Sequence, residues 1–414
     1  PPPPPPPPLF NDTATPEIYT GLYSSAASDV YKRQDGSISS ALKSIFLACP
    51  SRLLFLLVVI ALFLLQLISA ANAASPAIAA DKNGSERIIS KDRASSEPVL
   101  YYTLRNHTGS QDIDSYYGDL RGASHSGLCE VSFRPTGYKN ITSRLPFYIS
   151  DTEKELTTIK EFSEEKLWQA FAKTAADSSS NRVVLYVHGY NINFTKGCIR
   201  AAVFQQVLDE HSRLLLFSWP SDGTLVSYTR DEADVEWSQH SLEQVIMKLT
   251  SIYGADRLNI VAHSLGSRGV LRVLQLLSRR DDKKHLNELV LLAPDYDADV
   301  FRLAFPELQK VASRITLYSS ENDQPLRLSN EVHGHPRLGE AGDKLVLIKG
   351  MDTIDVSLAD GREMTGHLYH LYNDNVRNDL RSLLADGTPV SKRNNLKKLT
   401  RDGLPYWMLL PASD

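Results

Sequence analysis

Between about residue 155 and residue 385, short continuous apolar runs alternate with stretches whose apolar positions recur every three or four residues. The apolar runs 183–187, 213–217, 258–261, 288–292, 314–318 and 344–348 predict strands, and their lack of polar alternation predicts burial on both faces. The segments 196–208, 231–253, 264–277, 300–311 and 371–384 carry the helical period. Two further strands are expected at 99–104 and 129–133. Repeated strand–helix alternation implies a mostly parallel sheet covered by helices on both faces. Right-handed crossovers make such a sheet doubly wound. Ligands then bind beyond the carboxyl ends of its strands, so those ends are where chemistry is sought.

The flanks follow other patterns. Residues 1–34 open with eight prolines and continue with Asn11–Thr20 and Asp29–Gln34, which resemble translated sequencing-adapter and transposon-end sequences. We expect this segment to be non-native and leave it out of the fold. Residues 35–73 are expected to be a signal peptide or an N-terminal membrane anchor. Lys43 and Arg52 precede the apolar run 53–68, and Ala71-Asn72-Ala73 has the form of a cleavage site. That run is short for a full span of about 20 residues. If it stays uncleaved, it is the expected point of membrane association. The linker-like segment 74–96 lacks a period and is expected to be disordered, ahead of a domain at 97–385. The tail 386–414 is basic and then apolar.

The run Leu258-Asn259-Ile260-Val261-Ala262-His263-Ser264-Leu265-Gly266 leads an apolar strand into a serine and then a helical pattern. This is the layout of a nucleophile elbow, in which a tight turn lifts a serine hydroxyl above the sheet. Small residues are needed two places either side of the serine, and Ala262 and Gly266 hold those places. An acyl-transfer site also needs backbone donors for the oxyanion. Leu265 is expected to supply one N–H group. Tyr190, in Val187-His188-Gly189-Tyr190-Asn191, is expected to supply the other. Asp323 lies just past the strand 314–318 and is the preferred acid, with Asp295 the alternative one strand earlier. His367 lies in a loop before the closing helix and is the preferred base, with His370 the alternative. The order Ser264, Asp323, His367 is the chain order of α/β-hydrolases.

These motifs carry a closer resemblance. Val187–Phe194, Phe217-Ser218-Trp219-Pro220-Ser221, Ala262–Arg268, Leu292-Ala293-Pro294-Asp295 and Gly366-His367-Leu368-Tyr369 together resemble a bacterial family of α/β-hydrolases of unknown function, many of them exported. The resemblance spans roughly residues 97–385. It implies the α/β-hydrolase fold and a serine hydrolase, and it implies no substrate.

The remaining composition narrows the expectation. A formal net charge of −4 offers no electrostatic case for nucleic acid. Beyond the targeting segment there are two cysteines, Cys129 and Cys198, which permit one disulfide in an oxidising compartment, the periplasm or its membrane face. No spacing of cysteine or histidine reads as a metal motif, and acyl transfer through a serine needs no cofactor. The expected activity is hydrolysis of a carboxylic ester on a small or lipid-like acyl substrate. Amide, peptide and thioester hydrolysis on the same residues are alternatives, as is a non-catalytic envelope scaffold.

Overall fold

The structure is a computed structural model. It describes residues 77–80, 87–90, 96–135, 152–178, 182–209, 212–223, 227–280, 283–359 and 365–411. The adapter-like and targeting segments lie outside these residues. No helix among the described residues is long and apolar enough to cross a membrane.

An antiparallel group comes first: β1 (Ala77–Ala80), β2 (Arg87–Ser90), β3 (Ser96–His107), β4 (Tyr117–Pro135) and β5 (Thr152–Phe162). Helix α1 (Glu164–Asp177) follows, started by the Ser163 side chain, which accepts from the Lys166 N–H. Then come β6 (Arg182–Val187), α2 (Phe194–Gln205), β7 (Ser212–Ser218), α3 (Tyr228–Trp237), α4 (Gln239–Tyr253), β8 (Leu258–His263) and α5 (Gly266–Arg280). The chain continues through β9 (Leu286–Leu292), α6 (Ala298–Val311), β10 (Ala312–Ser319), α7 (Gln324–His333) and β11 (Asp352–Asp355). It ends with α8 (Tyr369–Tyr372), α9 (Asp374–Leu384), β12 (Leu396–Arg401) and β13 (Leu404–Leu409).

All of these strands join one sheet, in the order β1-β2-β5-β4-β3-β7-β6-β8-β9-β10-β11-β13-β12. Pairing is parallel from β3 through β13 and antiparallel at both edges. The central strands are buried along their length, as their unbroken apolar runs require. Successive side chains point to opposite faces, and two cores result. Leu185, Val187, Ile260, Leu289 and Leu317 face α1, α4, α5 and α6 through Phe171, Leu249, Leu274 and Phe305. Val184, Tyr186, Val261, Val290 and Tyr318 face α2 and α9 through Phe204, Ala201 and Leu380. The sheet is doubly wound.

The structure departs from the sequence pattern in several places, among them the helix expected at 371–384, which stops at Tyr372 and restarts at Asp374 after the extended Asn373. The segment 344–348 is not a strand. Val346 is buried in the first core and Leu345 packs with Ala341 and Tyr406, while β11 takes the ladder beside β10. An apolar run shows burial, and burial alone does not make a strand. The helix expected at 231–253 is broken at Ser238, whose hydroxyl donates back to the Asp234 carbonyl at 2.7 Å, an arrangement that bends helices. The expected linker 74–96 contains β1 and β2. The tail 386–414 supplies β12 and β13, which extend the sheet beyond β11.

Candidate active site

Ser264 follows β8 directly, and its φ of 51° lies in the left-handed region. A non-glycine residue there costs about 1–3 kcal/mol and persists only where its surroundings hold it. They do so here. The Ser264 N–H donates to the Leu292 carbonyl at 3.0 Å, and the Ser264 carbonyl accepts from the Asp295 N–H at 3.2 Å. The end of β9 thus grips the serine backbone from both sides.

His367 and Asp323 meet across the ends of neighbouring loops. Nδ1 of His367 lies 2.7 Å from Oδ2 of Asp323. Asp323 also caps α7, its Oδ1 accepting from the Leu326 N–H at 3.0 Å. The two loops are stitched by the Gln324 N–H, which donates to the Thr365 carbonyl at 3.0 Å. Gly366 makes the approach possible: its φ is +67°, and a Cβ there would lie 2.4 Å from the Asn322 carbonyl oxygen. The His367 ring packs on that of His263, the residue before the serine, at 4.7 Å between centroids. Burial works against a charged His367, but the Asp323 carboxylate outweighs it, so the imidazole titrates above its ordinary value. For Asp323, burial pushes the carboxyl up and His367 offsets part of that rise. The Leu326 N–H favours the charged carboxylate, which in turn raises the imidazole.

The other candidates fall elsewhere. Asp295 is held by Arg337 Nε and Ser329 Oγ, both 2.7 Å from Oδ1, and by the Tyr228 hydroxyl, 2.5 Å from Oδ2. Its side chain is committed to that group rather than to a histidine. His370 is fully buried in α8 against His263, at 4.5 Å, and neither of its ring nitrogens has a hydrogen-bond partner among the described residues. Burial keeps it neutral.

Leu265 immediately precedes α5, so its N–H sits at a helix N-terminus, where backbone dipoles favour negative charge. The loop carrying Tyr190 presses on the serine, since a Cβ on Gly189 would lie 2.7 Å from Cβ of Ser264. Trp219 is fully buried, stacks on His188 at 5.0 Å and donates to the His188 carbonyl at 2.8 Å. It packs against the start of that loop. Cys129 of β4 and Cys198 of α2 are joined as a disulfide, with 6.4 Å between their Cα atoms.

The family described as alpha/beta hydrolase of unknown function (DUF900) matches residues 162–385, more than half of the chain. The chain belongs to this family. It is an α/β-hydrolase, with the fold that the parallel sheet and its two helical layers display. A protein of Nostoc sp. (strain PCC 7120), named Uncharacterized protein alr1448, is 26% identical over 156 residues, 31% of this chain. The match spans 40% of that relative's length. Among solved structures, a hyperthermophilic esterase from Pyrobaculum calidifontis aligns at 10% identity and a TM-score of 0.28, covering 54% of this chain and 91% of that one. Its monoclinic form aligns at 9% identity and a TM-score of 0.28, covering 55% and 94%.

The hydrolase carries a support that sequence reasoning missed. Arg105, fully buried on β3, donates to Ser218 Oγ at 3.0 Å, the Ser221 carbonyl at 2.8 Å and the Ile192 carbonyl at 2.5 Å. It therefore ties the end of β7 to the loop after β6. Burial lowers its pKa to about 9, and Asp231, Asp119 and Asp234 work against that fall. Asp231 holds the same loops from the other side, accepting from Ser221 Oγ at 2.5 Å and from the Asp222 N–H at 2.9 Å. The available signal was a charged residue inside an apolar strand, one place past the expected end at residue 104.

Proposed function

We propose that the protein is a serine esterase, in which Ser264 attacks an acyl carbonyl and His367 acts as general base. The contact between His367 and Asp323 beside a serine held at positive φ carries this reading. His367 takes the proton from the Ser264 hydroxyl as the Oγ–carbonyl bond forms. Asp323 holds the imidazole tautomer and stabilises the imidazolium. The Leu265 and Tyr190 N–H groups receive the developing oxyanion. His367 then protonates the leaving alcohol, and water releases the acyl group by the reverse sequence. The Cys129–Cys198 bridge supports an exported protein, since disulfides persist in oxidising compartments.

The test is labelling of the protein with a fluorophosphonate probe, wild type beside Ser264→Ala, followed by hydrolysis of p-nitrophenyl esters of rising acyl length. Labelling and ester turnover confined to the wild type are expected. A folded wild type that neither labels nor turns over ester would favour the scaffold reading. Turnover of amides in preference to esters would move the assignment to an amidase.

A further inference from the structure

We propose that His107, His125 and Glu161 form a zinc site that fastens β3, β4 and β5 to one another. One ligand atom from each lies within 4.8 Å of the other two. Nε2 of His107 lies 3.0 Å from Oε2 of Glu161, and Nδ1 of His125 lies 3.0 Å from Oε1. Ligands bonded to tetrahedral zinc at about 2.0–2.2 Å stand roughly 3.4 Å apart. Small side-chain rotations therefore admit the ion. Two imidazoles and a carboxylate form a borderline-soft donor set that suits zinc, with a fourth position left for water.

The fold has assembled this group from distant positions. The residues belong to three strands, and their spacings of 18 and 36 residues match no metal motif. Glu161 pairs with Gly127 in the β4–β5 ladder, two places from His125, so the two side chains are diagonal neighbours. Between Thr103 and His107 the β3–β4 register shifts twice, with the extra residues on β4, and the His107 ring meets that of His125. The two imidazole rings stand 4.0 Å apart and are mostly buried, with side-chain exposures of 26% and 19%.

The surroundings suit a metal. The Tyr116 hydroxyl donates to Oε2 of Glu161 at 2.8 Å, the kind of outer contact that orients a ligating carboxylate. Tyr117 stacks on His107 at 5.0 Å and meets Phe194, the first residue of α2, at 4.6 Å. The site thus backs the helix that follows the Tyr190 loop, on the other side of β3 from the β8 elbow in the strand order.

The experiment uses the tag-free chain, stripped with EDTA and titrated with zinc chloride against a chromophoric indicator. One equivalent of tightly bound zinc is expected, with a rise in Tm. Cobalt(II) chloride should give the visible bands of a four-coordinate ion, a readout taken on the wild type that needs no variant to fold. His125→Ala and Glu161→Gln should each weaken zinc roughly 100-fold or more, at least as much as loss of an outer partner does. His367→Ala should leave zinc binding unchanged. Absence of stoichiometric uptake by the wild type overturns the proposal and leaves a hydrogen-bonded His–Glu–His cluster. Unchanged affinity in His125→Ala and Glu161→Gln, or loss of zinc in His367→Ala, also overturns it.

Discussion

β9 and β10 run side by side in parallel, and beyond each lies a buried aspartate. Past β9, Asp295 faces Arg337, Tyr228 and Ser329. Past β10, Asp323 faces His367. Arg337 and the hydrogen bonds to Asp295 overcome burial and hold its carboxyl below the usual range. The two positions share a local setting and differ in what the rest of the chain brings to them. A permanent cation fastens a loop, whereas a titratable imidazole can accept and return a proton. The β9 end still serves the site through its backbone, because Leu292 and Asp295 hold Ser264.

The largest expected effect separates the two aspartates by activity. Asp323→Asn keeps the shape but removes the charge that stabilises imidazolium and selects its tautomer. A fall in kcat of about 10⁴-fold is expected, by analogy with the same change in other triads. Steady-state ester hydrolysis measures it, and an Asp323→Asn enzyme within tenfold of wild type would dissolve the distinction. For Asp295→Asn the loss should appear in stability. Removing one partner of a buried ion pair costs about 3–5 kcal/mol, and Arg337 is itself only 2% exposed. Urea unfolding should show that loss, while fluorophosphonate labelling of the folded fraction stays near wild type.

A smaller effect tests how closely the β10 end must approach the histidine loop. In Gly366→Ala the new Cβ meets the Asn322 carbonyl oxygen at 2.4 Å and the backbone is strained at φ +67°. The loop must shift, and His367 is the next residue. A displacement on the order of 1 Å costs roughly 100-fold in rate. Hydrolysis should fall by that order, with far-UV circular dichroism unchanged. A variant as active as wild type would mean that the loop position does not set the rate.

Much of this was readable in the chain because local physics fixed it. The buried runs of β6, β8, β9 and β10 need no tertiary information, and the Ser264 elbow is a local turn between strand and helix. The segment 344–348 misled because apolar side chains can be buried without a ladder. Ser238 was missed because a hydroxyl turned back on its own helix leaves no mark on the apolar period. Chain order already set His367 as the preferred base beside Asp323, whereas Arg337 reaches Asp295 through a loop and left no signal in the sequence. Arg105 and the His107–His125–Glu161 group were hidden for a related reason. Their partners lie across strands, and the extra residues on β4 that shift its register against β3 have no sequence signature.

The subtlest prediction concerns pH. The proposed mechanism needs neutral His367, so kcat/KM should rise with pH and level off above the pKa of that imidazole in the free enzyme. Burial and Arg200 lower that pKa, while Asp323 first and Asp295 more weakly raise it. The net direction is upward, which moves the acid limb above the ordinary histidine value. Asp323→Asn should move the limb to lower pH, and Asp295→Asn should move it the same way by less. Both shifts can be followed in the pH dependence of fluorophosphonate labelling, which tolerates a slow enzyme. Equal shifts in the two variants would mean that His367 responds only to the general field at the strand ends. The larger shift in Asp323→Asn would mark the 2.7 Å contact as the one that sets the proton.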